Sequence, residues 1–240
     1  MKLDKYILLT WLIFILLVGI GFFLYCSFLY SPQHTQKEEV LTENEELLHK
    51  KVIVIDPGHG GYDPGTFGND LYEKNINLDV ASALQKTLEK EGTTVYLTRS
   101  DDHNPTLTDR ARFSSQKKAD VFISLHINAT KDTRANGIST YYSRHLYKKE
   151  ANPFPEESKE LAETIASNVS HTLEMDNHGA FDQGFVVLRQ NKAPSILVEL
   201  GFITNKQDSN KMKDSYFASD AAEGIKRGLL EYFKKNDGRI

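Results

Sequence analysis

The first pattern along the chain is a run without charged residues from Ile7 to Tyr30. As a helix this run would reach roughly 36 Å, which exceeds a hydrocarbon thickness of about 30 Å. A cleavable signal peptide is the alternative, but its apolar core is shorter and ends at small residues, whereas this run ends at Phe28, Leu29 and Tyr30. The pattern favours one uncleaved transmembrane helix, with residues 1–30 forming the cytoplasmic N-terminus and the anchor.

The charges that flank this run predict its orientation. Lys2 and Lys5 precede it, and the next charged residue is Lys37. By the positive-inside rule the N-terminus lies in the cytoplasm and the rest of the chain outside. We therefore expect a single-pass protein of the cell membrane that contacts the cytoplasmic membrane through residues 7–30. Residues 31–50 are polar and acid-rich, which is typical of a juxtamembrane linker.

From residue 51 the hydrophobic pattern alternates between strand and helix. Residues 51–56 (KVIVID) form a β-branched run that a Pro-Gly turn ends, as expected of a buried strand. Ile76, Val80, Leu84 and Leu88 are four residues apart and so lie on one face of a helix. The same reasoning predicts further strands over 94–98, 121–126, 137–142, 185–188 and 195–200, and helices over 107–117 with Thr106 as cap, 161–173 and 221–233.

This alternation predicts an α/β fold, with residues 51–240 as a single domain built on a mostly parallel sheet flanked by helices. In such sheets, ligands bind at the carboxyl ends of the strands. Polar residues at the ends of the predicted strands are therefore the first candidates for a functional site.

Composition narrows the classes of function. The chain has 240 residues, a formal net charge of -4 and 40% hydrophobic residues, which excludes a disordered or collagen-like protein. A single cysteine, Cys26, excludes a disulfide scaffold and a cysteine-rich structural zinc site. No long block of Lys and Arg is present, so nucleic acid is not expected as a partner.

Three predicted strands end in, or carry, side chains capable of catalysis. The first strand leads into His59, the strand VFISLH closes on His126, and the strand SILVELG carries Glu199; Glu73 opens the first helix after residue 51. Two imidazoles and one carboxylate are a common ligand set for catalytic zinc, which leaves one position for a water molecule. A further carboxylate can take a proton from that water and return it to a leaving nitrogen.

Each of these residues also has a simpler interpretation. The loop at His59 could bind a phosphate through backbone amides, although it lacks a Gly-Lys-Ser/Thr ending. Glu73 could favour the helix dipole, and His126 could be a hydrogen-bonded core histidine. Glu199 is harder to explain in this way, because an unpaired carboxylate is costly to bury in an apolar strand.

The motifs that contain these residues resemble those of zinc-dependent N-acetylmuramoyl-L-alanine amidases of bacterial cell walls, of the single-zinc amidase-3 type. They read VIVIDPGHGGYDPGTFG, EKNINLDVA, ADVFISLHINA and APSILVELGFITN, and the resemblance extends from Val52 to Phe233. It implies a twisted mixed sheet flanked by helices, and one zinc ion per chain bound by His59, Glu73 and His126. It also implies that Glu199 is the catalytic carboxylate.

The same resemblance implies the substrate. The family hydrolyses the amide between the lactyl group of N-acetylmuramic acid and L-alanine in peptidoglycan, which agrees with a domain outside the membrane. Asn128 and Arg189 lie beside motif residues and are candidate substrate contacts. The chain departs from the family at Ser114-Ser115, where Ala-Asn is frequent, and at His178, where a basic residue is frequent; these departures bear on substrate preference.

Two other functions stay open from the sequence. One is a catalytically silent peptidoglycan-binding or regulatory module of the same fold, which would act with a membrane protein partner through the anchor. The other is a zinc peptidase that cleaves within the stem peptide. The intact set of four site residues favours an active enzyme, and the products of cleavage would distinguish an amidase from a peptidase.

Overall fold

The computed structural model describes residues 3–29, 43–145 and 151–236. The chain divides into two compact units, Met1–Val40 and Leu41–Ile240. In the first unit, Leu3–Leu29 form one helix, α1. Most of the predicted linker, residues 31–42, lies outside the described residues.

The predicted transmembrane helix is not supported. A bilayer crossing takes about 20 consecutive, predominantly apolar residues in one helix. Among the residues that the structure describes, no helix combines the length and the apolar character needed to cross a membrane. Tyr30, the last residue of the predicted span 7–30, is outside the described residues.

The second unit alternates between strands and helices, which confirms the predicted α/β class. Its elements are α2 (Glu43–Leu48), β1 (Val52–Pro57), β2 (Phe67–Gly68), β3 (Leu71–Tyr72), α3 (Glu73–Glu89), β4 (Thr94–Leu97), α4 (Leu107–Lys117), β5 (Val121–Asn128), β6 (Ile138–Tyr142), α5 (Pro155–Leu173), β7 (Asn177–Asp182), α6 (Val186–Arg189), β8 (Ser195–Phe202), α7 (Lys206–Met212) and α8 (Phe217–Lys235).

Six of these strands form one mixed sheet in the order β4-β1-β5-β8-β6-β7. Strands β4, β1, β5 and β8 are parallel to one another, while β6 runs antiparallel to β8 and parallel to β7. The parallel strands β1, β5 and β8 therefore place their carboxyl ends at one edge, where ligands bind in α/β sheets. Strands β2 and β3 form a separate hairpin between β1 and α3.

Helices cover both faces of the sheet. The larger core lies under α3, α5 and α8, and it contains the predicted stripe Ile76, Val80, Leu84 and Leu88. On the opposite face, α4 packs against α6, and a smaller cluster joins α6 to the outward-facing residues of β1, β5 and β8. Helix α2 lies in the segment predicted as linker, and its Leu48 is fully buried in the larger core.

The predicted strand over 185–188 is wrong, because Val186–Arg189 form the short helix α6. The amide of Arg189 donates to the carbonyl of Phe185, which closes a helical turn. A run of four apolar residues has no periodicity that separates strand from helix. Strand β7 and helix α7 were not predicted, because β7 is largely exposed and α7 is short and polar.

Candidate metal centre

His59 follows β1 in a loop whose backbone turns sharply. Its φ is 62°, a left-handed conformation that is uncommon for a residue with a side chain. Nδ1 of His59 lies 2.8 Å from Oδ2 of Asp63, and Nε2 lies 3.2 Å from Oε1 of Glu73. Asp63 thereby orients the ring so that Nε2 faces the site, the arrangement in which a carboxylate supports a metal-binding imidazole.

Glu73 is the first residue of α3, yet it is almost fully buried, at 1% exposure. Its Oε1 accepts a hydrogen bond from the amide of Ile127 at 3.0 Å, and its Oε2 accepts one from the amide of Thr66 at 2.7 Å. These bonds direct the carboxylate toward β5 and the loop after β1. A favourable charge at the helix N-terminus is therefore only part of what this residue does.

His126 brings the second imidazole from β5. Its Nδ1 lies 2.9 Å from Oε1 of Glu73, and its ring centroid lies 4.9 Å from that of His59. One ligand atom from each of His59, Glu73 and His126 lies within 4.8 Å of the other two. Ligands about 2.0–2.1 Å from a tetrahedral zinc lie about 3.3 Å apart. The separations of Oε1 of Glu73 from the imidazole nitrogens of His59 and His126, 3.2 and 2.9 Å, are close to this spacing.

Glu199 lies on β8 directly beside His126, its partner in the parallel pairing of β5 and β8. Its Oε2 is buried and has no hydrogen-bond partner among the described residues. Burial raises the pKa of Glu199 to about 7, an effect that nearby His126 opposes and Glu73 reinforces. A carboxylate oxygen buried without a partner is costly, and a position beside two imidazoles and a second carboxylate is suited to proton transfer.

His59 and Glu73 shift each other's pKa in opposite directions. Burial lowers the pKa of His59, but hydrogen bonds and charge from Glu73 and then Asp63 outweigh it and raise that pKa to about 9. Burial likewise opposes ionisation of Glu73, but hydrogen bonds from His126 and His59 hold its pKa well below the usual range. Without a metal, the site therefore favours a protonated His59 next to an ionised Glu73.

Two glycines leave room for the three ligands. A Cβ at Gly58 would lie 2.4 Å from Cε1 of His126. At Gly65 it would lie 2.5 Å from Oε2 of Glu73 and 2.7 Å from Cδ2 of His59. Gly65 also has a φ of 68°, which favours glycine independently of space. The loop between β1 and β2 therefore fits closely around the ligand side chains.

Two buried arginines, which the sequence analysis did not single out, hold the loop that carries His59. Arg110 donates to the carbonyl of His59 at 2.9 Å and to Oδ1 of Asp56 at 2.7 Å. Arg99 donates to the carbonyls of Pro57 and Gly58, both at 2.9 Å. Their signal in the sequence is weak, because an arginine near a helix or strand end is usually solvated. The sequence signal for Asp63 is clearer, because this carboxylate lies in the same loop only four residues after His59 and can therefore reach its imidazole.

The two candidate substrate contacts lie in different surroundings. Asn128 is the last residue of β5, two positions after His126, and it lines an open groove next to Glu199. Arg189 ends α6, a helix that packs against α4 and β8. A substrate contact stays a prediction for both residues.

This geometry suits metal-assisted hydrolysis. Two imidazoles and one carboxylate converge at the carboxyl ends of the parallel strands, and the half-buried carboxylate of Glu199 adjoins them. A ligand set of this kind leaves coordination positions for water and for the carbonyl of a substrate.

Known proteins resemble this chain in sequence and in fold. Residues 53–231 match the family described as N-acetylmuramoyl-L-alanine amidase. The chain is 36% identical over 188 residues to the uncharacterised protein YqiI of Bacillus subtilis, covering 78% of this chain and 87% of that protein. It is 37% identical over 184 residues to the N-acetylmuramoyl-L-alanine amidase LytC of the same organism, covering 77% of this chain but only 36% of LytC.

Solved structures of amidases have a fold similar to that of this chain. An N-acetylmuramoyl-L-alanine amidase from Clostridium difficile 630 is 36% identical, with a TM-score of 0.70 that covers 78% of this chain and 98% of that one. The CwlD amidase from Clostridioides difficile, solved in complex with the GerS lipoprotein, is 28% identical, with a TM-score of 0.70 that covers 78% of this chain and 100% of that one.

Proposed function

Because the chain belongs to the N-acetylmuramoyl-L-alanine amidase family, we propose that its second unit cleaves the amide between N-acetylmuramic acid and L-alanine of peptidoglycan, with one zinc ion held by His59, Glu73 and His126. The observation that carries the proposal is the half-buried carboxylate of Glu199, whose Oε2 is buried without a hydrogen-bond partner, beside these three residues. A silent module of the same fold would have no need to keep so costly a group.

In this proposal the side chains have distinct roles. A zinc ion at the three ligands would supply a Lewis acid for the scissile carbonyl and would lower the pKa of a water molecule toward about 7. Glu199 takes the proton of the attacking water and then delivers it to the departing nitrogen of L-alanine. A carboxyl with a pKa near neutrality can perform both transfers. Asp63 keeps Nε2 of His59 directed into the site.

We place this activity on the outer side of the cytoplasmic membrane, because its substrate is the cell wall. The complex of CwlD with the GerS lipoprotein supports a protein partner as a further part of the proposal. A partner would be detected as a protein that copurifies with the chain and changes its rate on purified sacculi.

The proposal is tested by digestion of purified sacculi with the zinc-loaded chain, followed by mass spectrometry of the products. Free lactyl ends on the glycan and peptides that begin with L-alanine support an amidase. Cleavage within the stem peptide would instead identify a zinc peptidase, and binding without cleavage would identify a silent module.

Three variants separate the roles of the residues. Glu199→Gln should keep zinc and lose at least about 100-fold in rate, because it removes the proton-transfer group. His126→Ala should lose the ion itself. Glu163→Gln is the matched control, since Glu163 is an exposed carboxylate on α5 paired with Lys159. Normal turnover by the Glu199→Gln protein would refute the proposed base.

A further inference from the structure

A groove of about 630 Å³ opens beside the candidate metal centre, between the end of β5 and strands β6 and β7. Ser139 lines this groove and is paired with Glu199 across β6 and β8, and Asn128 lines it two residues after His126. The groove is therefore continuous with the position where the scissile amide would lie. Its volume lies within the range of about 300–1,000 Å³ that holds a small ligand.

One wall of the groove is aromatic. Tyr141 on β6 and Phe181 on β7 have ring centroids 5.8 Å apart at an interplanar angle of 36°. Phe181 is 43% exposed, on the edge strand of the sheet. Phe202 contributes a third ring to the lining. Tyr141 and Phe202 are half-buried. An exposed ring grouped with two half-buried rings in a groove indicates a ligand with an apolar face, because single exposed apolar residues are scattered on most protein surfaces.

The one guanidinium of the lining is paired with a carboxylate. Arg134 donates to Asp132 along one edge, with Nε 2.9 Å from Oδ1 and Nη2 2.8 Å from Oδ2. Nε2 of His178 lies 2.5 Å from the carbonyl oxygen of Asn136. The lining also offers a ligand the side-chain amides of Asn128, Asn136 and Gln183, with the aromatic faces beside them.

This chemistry distinguishes the two parts of peptidoglycan. The stem peptide carries free carboxylates, which bind best to a cation that no carboxylate neutralises, whereas Asp132 already neutralises Arg134. The glycan consists of N-acetylated sugars without charge, whose rings have an apolar face for stacking and whose hydroxyl and acetamido groups bond to side-chain amides. Resting on the proposed amidase function, we infer that the groove binds the glycan strand, with a sugar ring stacked on Phe181 and Tyr141.

The first test measures binding without catalysis. The metal-free full chain is titrated with chitotetraose, an uncharged chain of N-acetylglucosamine, and binding is followed by NMR shifts. Phe181→Ala should weaken binding by about 3- to 10-fold, the loss of one ring contact, and Gln183→Ala should also weaken it. Phe67→Ala is the matched control, because Phe67 is an exposed ring, 56% accessible, on the β2–β3 hairpin and outside the groove lining.

The second test compares two substrates that carry the same peptide, one on a single N-acetylmuramic acid and one on a tetrasaccharide. The wild-type chain should prefer the tetrasaccharide through a lower KM, and Phe181→Ala should reduce that preference about 3- to 10-fold with the same kcat. Unchanged thermal unfolding of Phe181→Ala would show that the fold is intact.

The possible outcomes separate this inference from the proposed function. If neither substrate is cleaved, the proposed function fails, while the chitotetraose titration still decides the groove. If both are cleaved and Phe181→Ala keeps the wild-type preference and binding, the inference is overturned. Chemical shifts in the groove caused by free stem peptide but not by chitotetraose would likewise overturn it, since the occupant would then be the peptide.

Discussion

Replacing Gly58 by alanine tests whether the loop after β1 sets the position of His126, a proposed zinc ligand. The φ of Gly58 is outside the left-handed region, so the backbone itself accepts alanine. The added Cβ would lie 2.4 Å from Cε1 and 2.5 Å from Nε2 of His126. Because carbon atoms in contact are about 3.5 Å apart, the imidazole has to withdraw by about 1 Å.

A displacement of that size should strongly reduce zinc binding and turnover, but should lower the free energy of unfolding only moderately. Ligand distances are held within about 0.2 Å, and a shift of 1 Å in a catalytic group costs about 100-fold in rate. We therefore expect zinc affinity and kcat/KM to fall by at least about 100-fold. Overpacking of this kind lowers the free energy of unfolding by about 1–3 kcal/mol, so the variant should still fold.

Three measurements decide this prediction. Zinc affinity is measured by competition with a chelator, kcat/KM with purified muropeptides, and the free energy of unfolding by urea titration in the presence of chelator. Gly184→Ala is the matched control, since its Cβ would lie 3.3 Å from a ring atom of His145, which is 54% exposed and free to move. Wild-type zinc affinity in Gly58→Ala would refute the reasoning. A loss of unfolding free energy well above about 3 kcal/mol would show that the damage lies in the fold.

Three further predictions concern protonation, the buried ion pair and a helix cap. Burial lowers the pKa of His59, but Glu73 and Asp63 together raise it to about 9, so zinc binding at pH 7.5 should release about one proton. Calorimetry of zinc binding in two buffers of different ionisation enthalpy counts the released proton, and a count of zero would contradict the raised pKa. By the same linkage, the metal-free chain should lose stability as pH rises from about 6.5 to about 9. Arg110→Met should lower the free energy of unfolding by about 3–5 kcal/mol, because it leaves Asp56 buried without its cation; a urea titration showing a loss below about 1 kcal/mol would argue against this. Thr106→Ala should cost about 1 kcal/mol in the same titration with unchanged kcat/KM, because the Thr106 side chain accepts a hydrogen bond from the amide of Asp109 at the start of α4; a change in rate would show that the cap also supports the site.

The sequence predicted elements whose signal is local. The stripe of Ile76, Val80, Leu84 and Leu88 and the cap at Thr106 were both correct, because helical periodicity and capping depend on residues within a few positions. The convergence of His59 and His126 also followed from local signals, since both come at or near the carboxyl ends of strands that lie parallel in one sheet.

The tertiary structure determines those features that depend on contacts between residues far apart in the sequence. The direction of β6, the existence of β7 and the helical form of α6 follow from pairing and packing with segments far along the chain. The burial of Arg110 against Asp56 likewise depends on which elements surround it, as does the burial of Oε2 of Glu199 without a partner. Short-range periodicity indicates which face of a helix or strand is apolar. The free energy of burying a charge, or of pairing one strand with another, depends on neighbouring residues that come together only in the folded chain.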